Sequence, residues 1–446
     1  MTMNVVVVSY AFPPVGGAGV QRMLKLVKYL PEHGVRPTVL TVSRASVPLT
    51  DTSLLAEIPP DVTVLRAPTL EPEYGAKQLA WRATGTTSES LRTRIVRRAA
   101  NLGRWLMVPD PQILWLPAAA HALLGHLRRE PESVVLISGP PFSQFLLGLL
   151  AKEFASVPVV LDYRDEWTTT SSVYEMARGG SSDRLLEAAV LRRADGVVTA
   201  TEDFRERLLA RFDFLHPERV VSIPNGYDPA DFVGQPPAPP TDRMVISYVG
   251  TVFRLTSARG FLRGLRLFKE RSPELGKLCD VRFVGRIVET EADAFADTEP
   301  LGVTREGYVD HAKAIQALAA SHVALCLLDA VDGAEGIYPA KIFEIMRLGR
   351  RCLAVTPEGA LARLVRRHRA GEVVAPGDTE AIATALQRLV TEFRSGTLLE
   401  WGGPVDFEIF DRRRQAGAFA RALTMAESVA HGERRHAGAI CHGAVP

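Results

Sequence analysis

The sequence has little cysteine, almost no net charge and no long hydrophobic run. Its four cysteines lack the paired spacing of a metal site, which predicts buried thiols in a reducing compartment. The 53 basic and 51 acidic residues leave a formal charge of +2, which gives no argument for nucleic-acid binding. No stretch reaches the roughly 18 apolar residues of a membrane span. We therefore expect a cytoplasmic protein.

The 446 residues are enough for two domains. The composition, with 46% hydrophobic and 23% charged residues, is typical of a globular protein. The N-terminal apolar run is short and has no basic flank, so it predicts a strand and not a signal peptide. Strand-like and helix-like segments alternate on both sides of QPPAPP, at residues 235–240, which cannot hold a helix. One of the predicted helices covers residues 311–320. This rhythm predicts an α/β fold of two Rossmann-like domains facing each other across a cleft.

A glycine-rich loop follows the first predicted strand. In the sequence YAFPPVGGAGVQR, Gly16, Gly17 and Gly19 would let a ligand approach the backbone, and a helical pattern comes directly after them. Such a strand, loop and helix can cradle a phosphate or a sugar. The third glycine of the dinucleotide fingerprint is missing, which argues against a nicotinamide cofactor. A tight turn without a ligand is the alternative interpretation.

The stretch EGIYPAKIFEIMRLG is typical of a loop that turns into a helix. Pro339 suits a first helical turn, and unpaired N–H groups beside Tyr338 and Ala340 would suit a phosphate. Glu335 and Glu344 can accept hydrogen bonds from hydroxyl groups. A ligand that carries both a diphosphate and several hydroxyl groups would fit this stretch, and a nucleotide sugar is such a ligand. The alternative is an amphipathic helix with a solvated glutamate.

Two more groups of charged residues follow predicted strands. DYRDEW contains Arg164, Asp165 and Trp167 at the end of a strand, where open α/β sheets bind ligands. A salt-bridged loop that only shapes the cleft is the alternative there. Beyond the proline stretch, Arg254 and Arg259 follow a strand and a glycine turn, and guanidinium groups match phosphate bidentately.

Several of these motifs resemble those of the retaining glycosyltransferases of family 4. PAKIFEIMRLGRRCLAVTPEGALARLV resembles the family's Pro-Ser/Ala-Lys-x-x-Glu region, and the glycine loop resembles its opening loop. SGPPFS and DYRDEWT, with the PDPQILWLP segment before them, resemble one branch of the family. One departure concerns spacing: eight residues lie between Glu335 and Glu344, where the family usually has seven.

The resemblance implies a GT-B fold and a hexosyltransferase-type reaction. A sugar would pass from a nucleoside-diphosphate sugar to a hydroxyl of a glycan, a lipid-linked or a small-molecule acceptor, with retention and without a metal or other cofactor. No Asp-x-Asp pair is evident for a metal-bound diphosphate. The implied catalytic residues are Arg254, Arg259, Lys341 and Asp165. The implied donor contacts are Gly16, Gly17, Gly19, Glu335, Tyr338, Pro339, Ala340 and Glu344, and the acceptor contacts are Arg22, Arg164 and Trp167.

The resemblance also divides the chain. It implies an acceptor domain at residues 1–228, a donor domain at 241–405 and a helix at 406–430 that crosses back to the first domain. Residues 431–446 show no periodicity and are expected to be disordered. In residues 91–115, arginines interleave with apolar residues and tryptophan. Peripheral contact with a membrane inner face and a solvated helix face are both open interpretations of this pattern.

Two other functions are consistent with the same pattern. A sugar-nucleotide epimerase would share the architecture but needs an acid or base facing the sugar, and the sequence indicates no histidine for that role. A nucleotide-sugar-binding protein without catalysis is the second alternative, because the spacing of the two glutamates is altered.

Overall fold

The computed structural model describes residues 2–47, 49–75, 107–169, 180–234 and 237–442. The predicted membrane segment, 91–115, therefore lies mostly outside the described residues. Its described end corrects part of that interpretation: Trp115 is fully buried and its ring N–H donates to the carbonyl of Ala67 at 3.2 Å. In the described part of the chain, no helix is both long enough and apolar enough to cross a membrane.

The chain divides into two compact units, Met1–Ile223 with Arg413–Pro446 and Pro224–Arg412. The first unit contains a parallel sheet with the strand order β3-β2-β1-β4-β5-β6-β7. Its strands are β1 (Met3–Val8), β2 (Val35–Val42), β3 (Thr63–Ala67), β4 (Val134–Gly139), β5 (Val159–Tyr163), β6 (Gly196–Thr199) and β7 (Val220–Ser222). The described helices that alternate with them are α1 (Ala18–Tyr29), α2 (Leu116–Leu127), α3 (Leu146–Ala155), α4 (Ser181–Arg193) and α5 (Glu202–Arg211).

The first strand shows why these residues form a buried parallel strand. Its valines are almost fully buried, and successive side chains point to opposite faces of the sheet. Val6 packs in the same apolar cluster as Trp115, whereas Val7 packs with Leu24 of α1. Both faces of the sheet are therefore covered, as a parallel sheet requires.

The second unit contains a parallel sheet with the order β10-β9-β8-β11-β12-β13. Its strands are β8 (Met244–Val249), β9 (Cys279–Val284), β10 (Val303–Glu306), β11 (Val323–Leu327), β12 (Arg351–Val355) and β13 (Gly371–Val374). Its helices are α6 (Arg259–Arg271), α7 (Pro273–Gly276), α8 (His311–Ala319), α9 (Lys341–Arg347), α10 (Ala360–Arg367) and α11 (Thr379–Ser395).

Each sheet reverses its strand order beside its first strand. The switch point lies between β1 and β4 in the first unit and between β8 and β11 in the second. Loops at the carboxyl ends of strands that flank a switch point are where doubly wound sheets bind ligands. The predicted α/β class with two Rossmann-like domains is confirmed.

The last helix, α12 (Arg412–His442), belongs to the first unit from Arg413 onward. Phe419 of this helix is buried in the same cluster as Val7 of β1. The helix begins six residues after the predicted start at 406 and continues past 430 into residues for which the sequence predicts disorder. The chain passes from one unit to the other between residues 223 and 224 and again between residues 412 and 413. The sequence places the domain boundaries at 228, 241 and 405.

Candidate functional site

The glycine loop lies between β1 and α1, at the switch point of the first unit. Gly17 precedes the helix with φ of 100°, a conformation that L side chains rarely adopt, so glycine is required there. The N–H of Gly16 donates to the carbonyl of Leu49 at 3.1 Å, which fixes the start of the loop. Gly19 is exposed in the first turn of α1. The loop therefore leaves backbone accessible at the carboxyl edge of the sheet.

Arg22 joins the glycine-loop helix to the end of β5. Its Nη2 atom lies 2.7 Å from Oδ1 of Asp162 and donates to the carbonyl of Ile223 at 2.8 Å. Its guanidinium also lies 5.0 Å from the ring centre of Phe419. Because Arg22 is only 2% exposed, it is not positioned to contact an acceptor, and we correct that prediction. Arg22 connects helix α1 to the end of β5 and to Ile223 inside the first unit.

Arg164 connects two loops at the same edge of the sheet. Its side chain donates to the carbonyls of Gly19 and Pro140, and its Nε to that of Gly139 at 3.4 Å. Its backbone N–H donates to Gly139 as well, at 2.9 Å. Arg164 thus holds the glycine loop against the loop after β4, and several of its donors are already used by the protein.

Trp167 is a core residue. Its ring stacks on Phe142 at a centroid distance of 5.1 Å and an interplanar angle of 3°. Its ring N–H donates to Oδ1 of Asp183 at 3.2 Å. With 1% of its surface exposed, Trp167 offers no surface to an acceptor, and that prediction is also corrected.

Asp165 differs from its charged neighbours. It is half-buried, and no described residue makes a hydrogen bond or ion pair with its carboxylate. Burial raises the pKa of Asp165 above its ordinary value, and the nearby Arg164 guanidinium opposes this rise. A carboxylate that is half-buried and holds its proton more tightly than usual can accept a proton.

Asp110, in the PDPQ segment, holds the loop after β4 through hydrogen bonds. Its carboxylate accepts hydrogen bonds from the backbone N–H groups of Phe142 at 2.6 Å and Ser143 at 2.9 Å, and from the Ser143 hydroxyl at 2.6 Å. The residue is 4% exposed. The role of Asp110 is therefore to shape this loop.

In the second unit, Arg254 lies in the turn after β8. The turn is fixed to the loop after β11, because the N–H of Asp329 donates to the carbonyl of Leu255 at 2.6 Å. The Arg254 side chain is exposed and has no hydrogen bond or ion pair with any described residue. Arg254 therefore presents an accessible guanidinium at the switch point of this sheet.

Arg259, the other predicted phosphate ligand, is engaged by carboxylates. Its guanidinium donates bidentately to Asp293, with one bond of 3.0 Å, and its Nε lies 3.5 Å from Oε2 of Glu291. These partners compete with any phosphate for the same donors. The structure thus separates the two arginines and favours Arg254 as the phosphate ligand.

Glu344 lies in α9, and its carboxylate is held by the side chains of Lys341 and His311. Its Oε2 atom lies 2.8 Å from Nζ of Lys341, one turn earlier, and its Oε1 atom lies 3.0 Å from Nε2 of His311 at the start of α8. The other ring nitrogen of His311 lies 3.7 Å from Oδ2 of Asp231. Glu344 is 9% exposed.

The surroundings of Glu344 keep it ionised. Burial alone would raise its pKa, but Lys341 and His311 outweigh burial and lower the pKa of Glu344 to about 2. The carboxylate is therefore charged at all physiological pH values. A buried, fixed carboxylate with remaining lone pairs is suited to accept hydrogen bonds from a vicinal diol.

The remaining predicted donor residues lie in the loop before α9. Glu335 is exposed in a short 3₁₀ turn, and a Cβ atom on Gly359 would lie 2.4 Å from its carbonyl oxygen, so only glycine permits this close approach. Tyr338, Pro339 and Ala340 are half-buried, and the helix begins at Lys341, after Pro339 and not around it. Since α9 has seven residues, we give the charged side chains more weight than the helix end.

The sequence did not indicate His311 as a site residue. The helix that it begins was predicted, but its contact with Glu344 spans 33 positions along the chain. The available signal was topological and incomplete: α8 and α9 both follow strands of one parallel sheet, so both begin at its carboxyl edge, but β9 and β8 lie between the two preceding strands.

Two family models match consecutive parts of the chain. The Glycosyl transferase 4-like domain matches residues 16–226, and Glycosyl transferases group 1 matches residues 244–392. The chain belongs to the GT-B glycosyltransferases. The first match covers strands β2 to β7 of the first sheet of this glycosyltransferase, and the second match covers all six strands of the second sheet. No curated protein sequence matches the chain.

Solved structures share the fold of this glycosyltransferase over nearly its whole length. Sucrose-phosphate synthase from Thermosynechococcus elongatus is 15% identical, with a TM-score of 0.57, and the match covers 99% of this chain and 100% of that one. HepE of Anabaena, solved with UDP and glucose, is 15% identical with a TM-score of 0.56, covering 97% and 99%. TarM of S. aureus, solved with UDP and α-GlcNAc-glycerol among its ligands, is 9% identical with a TM-score of 0.61, covering 95% and 100%.

Proposed function

We propose that this glycosyltransferase moves a hexosyl group from a nucleoside-diphosphate sugar to an acceptor hydroxyl, with retention at the anomeric carbon and without a metal. The observation that carries the proposal is the fixed, ionised carboxylate of Glu344 beside Lys341, on the sheet edge where Arg254 is also accessible. In the proposed complex, Glu344 accepts hydrogen bonds from the ribose hydroxyls. Arg254 and Lys341 neutralise the diphosphate.

The proposed chemistry follows from these charges. The bond between the anomeric carbon and the diphosphate oxygen breaks, and the electron pair leaves with the diphosphate. Positive groups placed around that oxygen stabilise the charge that develops there, which is the usual role of a metal ion in other phosphate-leaving reactions. The acceptor oxygen forms the new bond to carbon and loses its proton, for which Asp165 is the proposed recipient.

The first unit is the proposed acceptor domain. Its accessible backbone at Gly16, Gly17 and Gly19 and the half-buried Asp165 lie on the same sheet edge, whereas Arg22 and Trp167 support that edge from within. The acceptor is a hydroxyl compound such as a glycan, a lipid-linked sugar or a small molecule. Among the similar proteins, one is a sucrose-phosphate synthase and two were solved with glucose or with α-GlcNAc-glycerol, which agrees with this class.

The purified protein should be incubated with sugars linked to UDP, GDP, ADP and TDP, with and without EDTA, and nucleoside-diphosphate release measured by chromatography. We expect slow release from one donor, undiminished by EDTA. Addition of acceptors should accelerate it, and proton NMR of the product should show the anomeric configuration of the donor. Isomerisation of the donor sugar would indicate an epimerase instead, and binding without turnover a non-catalytic protein.

Glu344→Ala tests whether the Glu344 carboxylate binds the donor. It should weaken binding of the preferred donor more than tenfold, because a buried carboxylate that accepts two hydroxyl groups contributes on the order of 2–3 kcal/mol. Glu274→Ala is the matched control, since Glu274 is an exposed glutamate of the same unit whose one ion pair among the described residues is with Lys277. An unchanged donor affinity for Glu344→Ala would remove this residue from the site.

A further inference from the structure

His311 is the partner of Glu344 that the proposed reaction does not yet use. It begins α8, after β10, whereas Glu344 lies in α9, after β11, so two separate strand-to-helix connections bring the two residues together. The Nε2 to Oε1 distance is 3.0 Å, and both side chains are largely shielded from solvent. An ionised carboxylate only accepts hydrogen bonds, so Nε2 of His311 is the donor.

The geometry fixes both oxygens of Glu344 independently. Lys341 holds Oε2 from within the same helix, and His311 holds Oε1 from the neighbouring one. Lys341 alone would leave the carboxylate free to rotate about its terminal torsion, because a single contact fixes one oxygen and not the plane. Two contacts on different oxygens fix the plane, and each oxygen keeps a lone pair for a ligand hydroxyl.

A third group, a carboxylate, faces the other ring nitrogen of the histidine. Asp231, in the turn Pro229–Phe232, lies 3.7 Å from Nδ1 of His311, and this aspartate has further contacts of its own. The imidazole therefore lies between two carboxylates. An ordered donor whose opposite nitrogen faces a carboxylate is the arrangement by which proteins orient a histidine toward its target.

We propose that His311 is a positioning residue that orients the Glu344 carboxylate for recognition of the ribose diol, so that the site selects ribonucleotide donors over nucleotides without vicinal hydroxyls. This inference rests on the proposed function. It adds a positioning residue, His311, to the proposed donor site, with a measurable consequence for ribose recognition. His311 itself touches no part of the nucleotide in this proposal and acts only through Glu344.

The test compares nucleotides with and without the ribose hydroxyls. UDP, GDP and ADP are titrated by calorimetry, and the tightest binder is paired with its 2′,3′-dideoxy analogue. The wild-type protein should prefer the ribonucleotide about tenfold or more. His311→Ala should reduce this preference to about threefold or less while leaving the affinity for the dideoxy analogue unchanged. His311→Gln, whose amide nitrogen can reach the place of Nε2, should restore part of it, and the shorter His311→Asn should not.

Lys313→Ala is the matched control, because Lys313 lies on the same helix in an exposed ion pair with Asp310. It should keep the full ribose preference. Thermal melting of each variant detects misfolding, and if His311→Ala is unfolded, the comparison of His311→Gln with His311→Asn decides. Equal weakening of both nucleotides in His311→Ala would mean a purely structural role, and an unchanged preference would also overturn the proposal.

The same titrations distinguish failure of this inference from failure of the proposed function. If Glu344→Ala abolishes the ribose preference but His311→Ala retains it, Glu344 reads the ribose and His311 does not position it. If the wild-type protein binds no nucleoside diphosphate, or binds both nucleotides equally, the donor site at Glu344 is wrong and this inference is overturned with it.

Discussion

The Nη2 atom of Arg22 lies 2.7 Å from Oδ1 of Asp162, and the two side chains are 1% and 0% exposed. This ion pair connects α1, which follows the glycine loop, to the end of β5, which leads into the DYRDEW segment. Asp162 also accepts a hydrogen bond from the hydroxyl of Ser138 at 2.7 Å, at the end of β4. Helix α1 and the ends of β4 and β5 are therefore connected by a single buried network.

Breaking this pair should destabilise the first unit strongly. Arg22→Met leaves Asp162 buried without its charge partner, and loss of one member of a buried pair typically costs about 3–5 kcal/mol. We expect the thermal midpoint of the first unit to fall by several degrees or more. The double variant Arg22→Met, Asp162→Asn should recover part of this loss. A change in midpoint of less than one degree for the single variant would contradict this account of the network.

The Glu344 carboxylate should stabilise the protein in a defined pH range. Its pKa is about 2 in the folded state and 4.5 ordinarily, so its contribution is fully present above pH 4.5 and is lost as the pH falls from 4.5 to 2. The shift corresponds to about 3 kcal/mol. Unfolding of wild type and Glu344→Gln should be compared from pH 2 to 6. Their difference should decrease toward acid, and a constant difference would refute the assignment.

Glu187 should have the opposite pH dependence. It is fully buried in α4, and burial raises its pKa to about 7, against a hydrogen bond from Thr168 that lowers it. A raised carboxyl pKa means that stability is lost as the pH rises from 4.5 to 7, by up to about 3 kcal/mol. Glu187→Gln mimics the protonated form, so it should be more stable than wild type at pH 8 and similar at pH 4. Urea unfolding at the two pH values checks this.

The fold could be predicted from the sequence because its signals are local. Four consecutive valines at residues 5–8 predict a strand that is buried on both faces, and β1 at Met3–Val8 is that strand. The helix expected at residues 311–320 is α8, His311–Ala319. In both cases the pattern of apolar residues within the segment itself indicates the structure.

The site was only partly predictable, because residues far away in the sequence decide which of its side chains are buried or already paired. Trp167 follows a strand end, where an exposed ring would be equally consistent with the sequence, and it is Phe142, from another loop, that buries it. Arg259 has a suitable position for a phosphate, but Asp293, 34 residues away, already occupies its donors. No pattern within either segment carries this information.

The contrast between Arg254 and Arg259 gives the last prediction. Arg254→Ala should weaken binding of the preferred nucleoside diphosphate more than tenfold, because charge-assisted hydrogen bonds contribute about 1.5–3 kcal/mol each. Binding of the corresponding nucleoside, which has no phosphate, should not change. Arg259→Ala should weaken the nucleoside diphosphate less, since Asp293 and Glu291 already hold this arginine. Calorimetric titration of both ligands measures these three effects.

Arg263→Ala is the matched control for these titrations, because Arg263 is an exposed arginine of α6 with no hydrogen bond or ion pair among the described residues. It should bind the diphosphate as wild type does, which separates a specific contact from general loss of positive charge. If Arg263→Ala weakens binding as much as Arg254→Ala, long-range attraction explains both variants. If Arg259→Ala has the larger effect, the diphosphate displaces Asp293 on binding, and the phosphate ligand is Arg259 and not Arg254.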